Sequence, residues 1–448
     1  MTATTDRLPL KTCLGFGVGT VGVSIMLNAV TAYYPAFMST VLGQSPELAG
    51  YLLMGSKLFD AFVDVMIGVA SDRTRSRWGR RKPFLLLGAL LSAISFLMLF
   101  APPEMTQGAL IAYMIAGLII YSTGYSLFNV PYMAMPSELT DDFHERTRLI
   151  SFRTVFVSIG QLFALASTAA LIDSGGGGQS GYATMGLVMA LVIFGAMTAT
   201  ALSVPKTAHE PAPKHLIKPP LQQLRLLTKN RPFMILVGAK IFQFLSFASL
   251  ATSGLLYLLN VLGVGYQGQI ILAVTQNIVL AATMPIWVKL GKRFGKRNTY
   301  LIGVSLFCLT ALSWLFADRD IGNAGLIIRG ITSGAGSGAI ILMSVSMLGD
   351  TMAYDRVISG EGREGLLSST IAVIEKTSFA LGVGILGIVL NFLGYVPTTG
   401  GELVEQPESS IFALKIGFAI LPAAFFLING VFLAFYDLDE TKMREAQG

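Results

Sequence analysis

The chain has 448 residues, of which 53% are hydrophobic and only 13% are charged. This balance excludes a soluble globular domain and a disordered chain, and it indicates an integral membrane protein. The net charge of +6 comes from basic residues in short connections between apolar runs, which is typical of membrane topology and does not require nucleic acid as a partner.

Apolar runs long enough to cross about 30 Å of hydrocarbon recur twelve times. They predict membrane-spanning helices near residues 12–41, 47–70, 83–101, 108–136, 147–172, 182–204, 233–260, 267–289, 298–317, 322–349, 365–395 and 410–436. Of the 32 Lys and Arg residues, 25 lie in the N-terminus, the even-numbered connections and the C-terminal tail, whereas Arg319 alone lies in an odd-numbered connection. By the positive-inside rule, both termini are expected in the cytoplasm.

The middle connection differs in composition from both sides of the chain, because it is polar, basic and rich in proline. It predicts an N-terminal six-helix bundle (1–204), a cytoplasmic loop (205–232) with a short interfacial helix at 221–228, and a C-terminal six-helix bundle with a short cytoplasmic tail (233–448). RWGRRK from Arg77 and RFGKRN from Arg293 occupy corresponding places in the two halves. We expect an all-α membrane protein of two pseudo-symmetric six-helix bundles, with a solute site near mid-membrane between them.

The second predicted span carries three ionisable residues on one helical face: Lys57, Asp60 and Asp64. Such residues are costly in hydrocarbon and commonly mark an ion or solute path. One interpretation is a cation site shared by the two aspartates. The other is an internally neutralised structural network.

Other motifs give no sign of enzyme or metal chemistry. The three histidines lie in predicted cytoplasmic loops, and Cys13 and Cys308 lie singly in apolar runs, so neither a metal site nor a disulfide framework is expected. RGITSGAGSGA, which begins at Arg329, follows no strand and predicts close helix packing, not nucleotide binding. A membrane-embedded enzyme would need a nucleophile or metal constellation that the sequence does not show, so we expect no enzyme and no cofactor.

Five motifs in order resemble one known family. They are FDAFVDVMIG with RTRSRWGRRKPF, then NVPYMAMPSEL, ERTRLISFR and GDTMAYDR. They are similar to the glycoside-pentoside-hexuronide:cation symporters of the major facilitator superfamily, of which melibiose permease is the best-known member. The resemblance implies a monomeric secondary transporter surrounded by lipid in a bacterial inner membrane, which couples a small organic solute to H⁺ or Na⁺ by alternating access.

Carried over residue by residue, the resemblance places the cation between Asp60, Asp64 and the hydroxyl of Ser126. The family's solute-binding tyrosine, arginine and lysine fall on Tyr125, Arg153 and Lys376. An equally open interpretation is that Arg153 and Lys376 balance the charge of the two aspartates and do not contact the solute.

The family's sugar site is altered at three positions of this chain. Gly22 and Asn129 stand where the sugar transporters have aspartates, and Met133 stands where they have a stacking tryptophan. The loss of two acids favours an anionic or amphipathic solute over a neutral sugar. A carrier of lysolipid-like solutes, for which Met133, Phe128 and Tyr132 would line the site, and proton-driven efflux remain alternatives.

We expect the coupling ion to be H⁺ in preference to Na⁺, because of one substitution. Val63 replaces an asparagine of the family's sodium site, which removes one neutral oxygen from a cation that prefers several oxygen ligands. Na⁺ is the only metal ion that the pattern leaves open. A wider charge network for gating is expected at Lys57, Asp141, Arg146, Asp350 and Glu375.

Overall fold

The computed structural model describes residues 7–140, 142–205, 227–228, 230–360 and 363–447. Within these ranges the secondary structure is helical, apart from one isolated antiparallel bridge between Leu42 and Thr399. The helices, in chain order, are α1 Leu10–Ala36, α2 Pro46–Arg73, α3 Lys82–Phe100, α4 Gln107–Leu139, α5 Phe143–Leu162, α6 Gln179–Ser203, α7 Arg231–Asn260, α8 Gly265–Phe294, α9 Lys296–Ser313, α10 Gly322–Ser359, α11 Glu364–Phe392, α12 Glu408–Lys415 and α13 Glu440–Gln447.

Three of these helices continue through π-helical turns. The turn Phe37–Val41 extends α1, and the turn Phe163–Ser167 leads α5 into a further helical stretch at Thr168–Ser174. The turn Ile416–Ile420 leads α12 into the stretch Leu421–Ala434. A π turn inserts a residue into the hydrogen-bond ladder and rotates the helical face that follows it.

Eleven helices in the described part of the chain are long and apolar enough to cross a membrane. The predicted second span, α2, is not among them, although its 28 residues give it the necessary length. It differs because it carries Lys57, Asp60 and Asp64 within one membrane-length stretch. The prediction of twelve spanning helices is therefore confirmed for eleven, and the remaining one forms a helix of the right length.

The polar face of α2 points inward and its apolar face points outward. Lys57 and Asp60 are buried, whereas Leu58, Phe62 and Met66 are exposed. This is the reverse of a helix in a soluble protein, where the apolar stripe is the buried one. Hydrocarbon on the outside explains the exposed stripe, so α2 is built to lie in a membrane with its charges inside the bundle.

The chain divides into two compact units. Unit one comprises residues 1–213 and 397–404, and unit two comprises residues 214–396 and 405–448. The segment 397–404 follows α11 in sequence but packs in unit one, where the amide of Thr398 donates to the carbonyl of Ser39 at 2.8 Å and that of Gly400 donates to Val41 at 2.9 Å. Most of the predicted middle loop and of its interfacial helix lies outside the described residues.

Glycines allow several helices to approach backbone to backbone. A Cβ atom at Gly88 on α3 would lie 2.6 Å from the amide nitrogen of Phe128 on α4, and one at Gly124 would lie 2.7 Å from that of Ser92. In unit two, a Cβ at Gly334 on α10 would lie 2.5 Å from the carbonyl oxygen of Gln276 on α8. Gly334 belongs to the glycine-rich motif of α10, so the prediction that this motif serves helix packing is confirmed.

Gly124→Ala is expected to destabilise unit one, because the added methyl group overlaps backbone atoms of α3 that cannot rotate away. Overpacking of this kind typically costs about 1–3 kcal/mol. The thermal unfolding midpoint of the purified protein measures the effect. Gly195→Ala on α6 is the matched control, since open space surrounds that position and alanine improves helix propensity there. Equal midpoints for the two variants would contradict the packing argument.

Candidate cation and solute site

The two membrane helices α2 and α4 meet along a ladder of side chains spaced one turn apart. The hydroxyls of Ser56 and Ser122 lie 2.8 Å apart, and one turn further the hydroxyl of Ser126 donates to Oδ1 of Asp60 at 2.8 Å. Beyond them, Val63 packs in an apolar cluster with Leu127. The ladder fixes the register of α2 against α4 and gives the Asp60 carboxylate a defined hydroxyl partner.

Asp60 and Ser126 are both buried, and Asp64 is half-buried one turn further along α2. The structure thus brings together the predicted pair Asp60 and Ser126, with Asp64 on the same helical face. A buried carboxylate that accepts a hydroxyl hydrogen bond keeps further lone pairs for a second ligand. Protonation or binding of a small cation would neutralise it at that point.

Lys57 is buried one turn before Asp60 and lies against an aromatic ring. Its Nζ atom is 5.4 Å from the centroid of the Tyr121 ring, which is a cation–π distance. The Tyr121 hydroxyl donates to the carbonyl of Met26 on α1 at 3.0 Å, and its ring stacks on that of Tyr125 at 6.5 Å. A change in charge at Asp60 would therefore act on Lys57 of α2 and, through Tyr121, on the contact of α4 with α1.

The predicted solute residues of unit one have different surroundings. Tyr125 is buried beside Tyr121, Asn129 is half-buried on the next turn of α4, and Met133 is 51% exposed. Arg153, on α5, is half-buried and close enough to the Tyr132 hydroxyl to interact with it. Lys376 is half-buried and belongs to unit two.

Gly22 lies at a packing contact between α1 and α6. A Cβ atom there would be 2.9 Å from Cγ of Met197 and 3.2 Å from the carbonyl oxygen of Ile193. The close approach of these helices accounts for glycine at this position without any solute. The packing contact with α6 is therefore the role that the structure shows for Gly22.

The aromatic pair proposed to line an amphipathic site is part of the core of unit one. Phe128 and Tyr132 are fully buried, and their rings stack at 5.4 Å. The Tyr132 hydroxyl donates to the carbonyl of Phe16 at 2.8 Å and lies 2.7 Å from Oγ1 of Thr20. Both rings bind α4 to α1, so of the three residues expected to line such a site Met133 alone is exposed.

A charge cluster at the end of α4 was not predicted from the sequence. Glu138 Oε1 accepts from Arg80 and from Arg81, each at 2.6 Å, and Arg81 also contacts Asp72 at 2.7 Å and the Ser71 hydroxyl at 2.6 Å. The motifs that contain these residues were recognised, but nothing in their spacing indicates which acid the arginines meet. The cluster ties the loop after α2 to the end of α4.

The second repeat makes the corresponding contact. Lys296, in the RFGKRN motif, forms an ion pair with Asp350 near the end of α10, with Nζ 2.6 Å from Oδ2. Gly79 and Gly295, which occupy the same place in the two motifs, both have positive φ, at 92° and 82°. The same turn and the same acid–base contact thus occur in both halves, as the duplicated sequence motif predicts.

The remaining predicted network residues are distributed over several contacts. Arg146 donates to the carbonyl of Thr140 at 3.1 Å, and Glu375 pairs with Lys240 in unit two at 2.8 Å. Next to Arg146, the Glu145 carboxylate accepts from the amide of Leu8 and from Arg148, both at 3.0 Å. Asp141 lies outside the described residues.

A family model described as MFS/sugar transport protein matches residues 15–440. The chain belongs to this family. An uncharacterized symporter of Synechocystis sp. is 27% identical over 96% of this chain and 94% of its own length. The glucuronide carrier protein homolog of Escherichia coli is 27% identical over 98% of this chain and 95% of its own. The resemblance to glycoside-pentoside-hexuronide:cation symporters is thereby confirmed.

The fold is supported independently by a solved structure. A bacterial homologue of the human lysosomal transporter Spinster, in an inward-facing and unoccupied conformation, matches with a TM-score of 0.70 at 15% identity, over 98% of this chain and 97% of that one. At that identity the likeness concerns the fold. The protein is an integral membrane transporter of the major facilitator superfamily and not an enzyme.

Ser126→Ala is expected to weaken ion coupling without unfolding the protein. The hydroxyl donates to a buried carboxylate, and hydrogen bonds to charged groups contribute about 1.5–3 kcal/mol. Ser126→Thr is the matched control because it keeps the hydroxyl. The measurement is proton movement on solute addition in proteoliposomes, together with the thermal unfolding midpoint. Coupling by Ser126→Ala at the level of Ser126→Thr would show that the contact with Asp60 is not used.

Glu138→Gln is expected to destabilise the protein more than Asp350→Asn does. The side chains of Arg81 and Glu138 are 6% and 11% exposed, whereas those of Lys296 and Asp350 are 41% and 34% exposed. Removing one member of a buried pair costs up to about 3–5 kcal/mol, which the Asp72 contact of Arg81 will reduce, and an exposed pair contributes about 0–1 kcal/mol. Unfolding midpoints of both variants test the difference. Equal losses would mean that burial does not set the strength of the two contacts.

Proposed function

We propose that this protein is a proton-coupled symporter for a glycoside-like solute that carries a carboxylate, such as a hexuronide. It works by alternating access in a bacterial inner membrane, with both termini in the cytoplasm and with no cofactor beyond the coupling ion. The observation that carries the proposal is the buried Asp60 carboxylate, hydrogen-bonded by Ser126, in a chain that belongs to a family of sugar transporters.

The coupling step follows from the charge of the aspartates. A carboxylate at membrane depth changes the net charge of the bundle when it binds a proton, and such groups mark proton relays in transporters. Lys57 lies one turn away on the same face, so neutralising Asp60 weakens its attraction for that ammonium group. An ion that alters an interaction in this way shifts the preferred conformation by the difference in its affinity for the two states.

The surroundings of Asp60 favour a proton over Na⁺. Sodium, like other hard cations, prefers several oxygen ligands. Val63 is buried in the apolar cluster with Leu127, so that position of α2 supplies a side chain with no oxygen. The hydroxyls of Ser56 and Ser122 are already bonded to each other. A proton needs only the carboxylate itself.

The chemistry of the predicted solute residues favours an anion. Arg153 and Lys376 are cationic donors, and Gly22 and Asn129 replace the acids that would bind sugar hydroxyls in the family. A guanidinium group binds a planar carboxylate with two parallel hydrogen bonds. The relative from Escherichia coli that matches nearly the whole chain is named a glucuronide carrier homolog, which agrees with a carboxylate-bearing solute.

Proteoliposomes that contain the purified protein and a pH-sensitive dye test both parts of the proposal. Addition of methyl β-D-glucuronide should acidify the lumen, whereas methyl β-D-glucoside should have a smaller effect. Asp60→Asn and Asp64→Asn should each abolish the acidification, because the amide keeps the shape of the side chain but cannot carry the proton. Asp437→Asn, at an exposed ion pair with Lys442, is the matched control and should behave as the wild type.

Two results would contradict the proposal. Solute-driven acidification that persists in both aspartate variants would remove Asp60 and Asp64 from the coupling mechanism. Uptake that depends on a Na⁺ gradient at constant pH, with no proton movement, would replace the proton by sodium.

A further inference from the structure

Unit two contains an ion pair at membrane depth that the symport mechanism above does not use. Lys240 on α7 contacts Glu375 on α11, with Nζ 2.8 Å from Oε1. Counted from the starts of their helices, the two residues lie roughly 14 and 17 Å along the axes at 1.5 Å per residue. Both helices are long and apolar enough to cross a membrane, and the pair lies within their spanning stretches.

The surroundings of the pair make an unpaired charge costly. On the side of the helix starts, Phe233 and Val237 of α7 pack with Leu367 and Ile371 of α11 in one buried cluster. The Phe244 ring lies 5.4 Å from the Lys240 ammonium group on the other side, one turn further along α7. Lys240 thus lies between an apolar cluster and an aromatic ring, so loss of its anionic partner would leave a buried unpaired charge.

The two partners differ in exposure, and this difference suggests exchange. The Lys240 side chain is 6% exposed, whereas that of Glu375 is 29% exposed. Water screens the more exposed carboxylate and lowers the cost of separating it from the ammonium group. Here the cation is held in place by packing, and the anion is on the accessible side.

We propose that Lys240 is a carboxylate-binding site of unit two, occupied by Glu375 in this structure and by the carboxylate of an anionic solute during transport. The inference rests on the proposed function for the kind of solute and adds the group that binds its charge. The solute carboxylate replaces Glu375 at the ammonium group, and no covalent bond is made or broken.

Displacement of Glu375 has a consequence for the proton balance. Once its carboxylate loses the ammonium partner, it is an uncompensated charge at membrane depth, and uptake of one proton from the aqueous phase neutralises it. Binding of the anionic solute is then linked to proton uptake in unit two. This linkage is separate from the one at Asp60, which lies in unit one.

Three of the other charged groups on the helices packed against α11 have partners away from Glu375. Lys376 is the neighbour of Glu375 on α11, and the helices packed against α11 carry Arg231 on α7, Arg329, Asp350, Asp355 and Arg356 on α10, and Glu408 and Lys415 on α12. Asp355 pairs with Arg363 at 3.0 Å, and Asp350 pairs with Lys296. Arg329 donates to the hydroxyl and carbonyl of Ser313. Glu375 itself pairs with Lys240 on α7.

Calorimetry with two matched probes tests the site on the purified full-length protein. Methyl β-D-glucuronide and methyl β-D-glucoside differ in the carboxylate, so the ratio of their dissociation constants measures recognition of charge. Titration in two buffers with different ionisation enthalpies measures the protons taken up on binding. The variants are Glu375→Gln, Lys240→Met with Glu375→Gln, and the control Asp437→Asn at the exposed Lys442 pair.

Glu375→Gln removes the competitor, so glucuronide binding should tighten by about threefold to tenfold, with little change for the glucoside. The same variant should take up about one proton fewer per glucuronide than the wild type, because the group that accepts it is gone. The double variant leaves no buried charge unpaired and should fold. Its preference for glucuronide over glucoside should fall by more than about tenfold.

The site assignment is overturned if Glu375→Gln and the double variant match Asp437→Asn in both the affinity ratio and the proton count. It is equally overturned if the wild type binds the two probes alike. These outcomes are distinct from failure of the symport proposal, which is decided by the acidification assay with Asp60→Asn and Asp64→Asn. Loss of acidification there, together with unchanged Lys240 and Glu375 variants here, would retain the symporter and reject this site.

Discussion

The structure depends on one constraint, which is that a charge buried among membrane helices must be hydrogen-bonded or paired by a group on another helix. Asp60 on α2 is bonded by Ser126 on α4, and Lys240 on α7 is bonded by Glu375 on α11. Because each contact joins two helices, it fixes their rotation and register as well as their charge. Any ion or solute that changes one of these charges therefore acts on how the helices fit together.

The duplicated basic turns form the same kind of ion pair, but the two pairs differ in burial. Arg80 and Glu138 are each 11% exposed, whereas Lys296 and Asp350 are 41% and 34% exposed, although Arg80 and Lys296 occupy the same position in the two motifs. Desolvation raises the cost of separating the first pair, and water screens the second. The two halves of this transporter thus share one architecture, but the ion pair that fixes the basic loop is stronger in unit one than in unit two.

Most of the fold could be predicted from the sequence, because hydrocarbon requires long apolar helices and the basic loops set their direction. The pair of Asp60 with Ser126 came from family resemblance and is present. Side-chain direction could not be predicted in the same way: Phe128 and Tyr132 point into the core of unit one, and Gly22 meets α6. An apolar span gives little periodic signal, since its lipid face and its packed face have similar composition.

The contact between Lys240 and Glu375 could not be predicted from the sequence. Each residue is visible as a charge in an apolar run, but 135 positions separate them, and periodicity within one helix says nothing about the partner on another. Their unequal burial is visible only in three dimensions. In the proposed mechanism, the Glu375 carboxylate of unit two and the Asp60 carboxylate of unit one are the two places where a proton replaces a lost interaction. That mechanism links solute charge to proton uptake through the charges of these side chains.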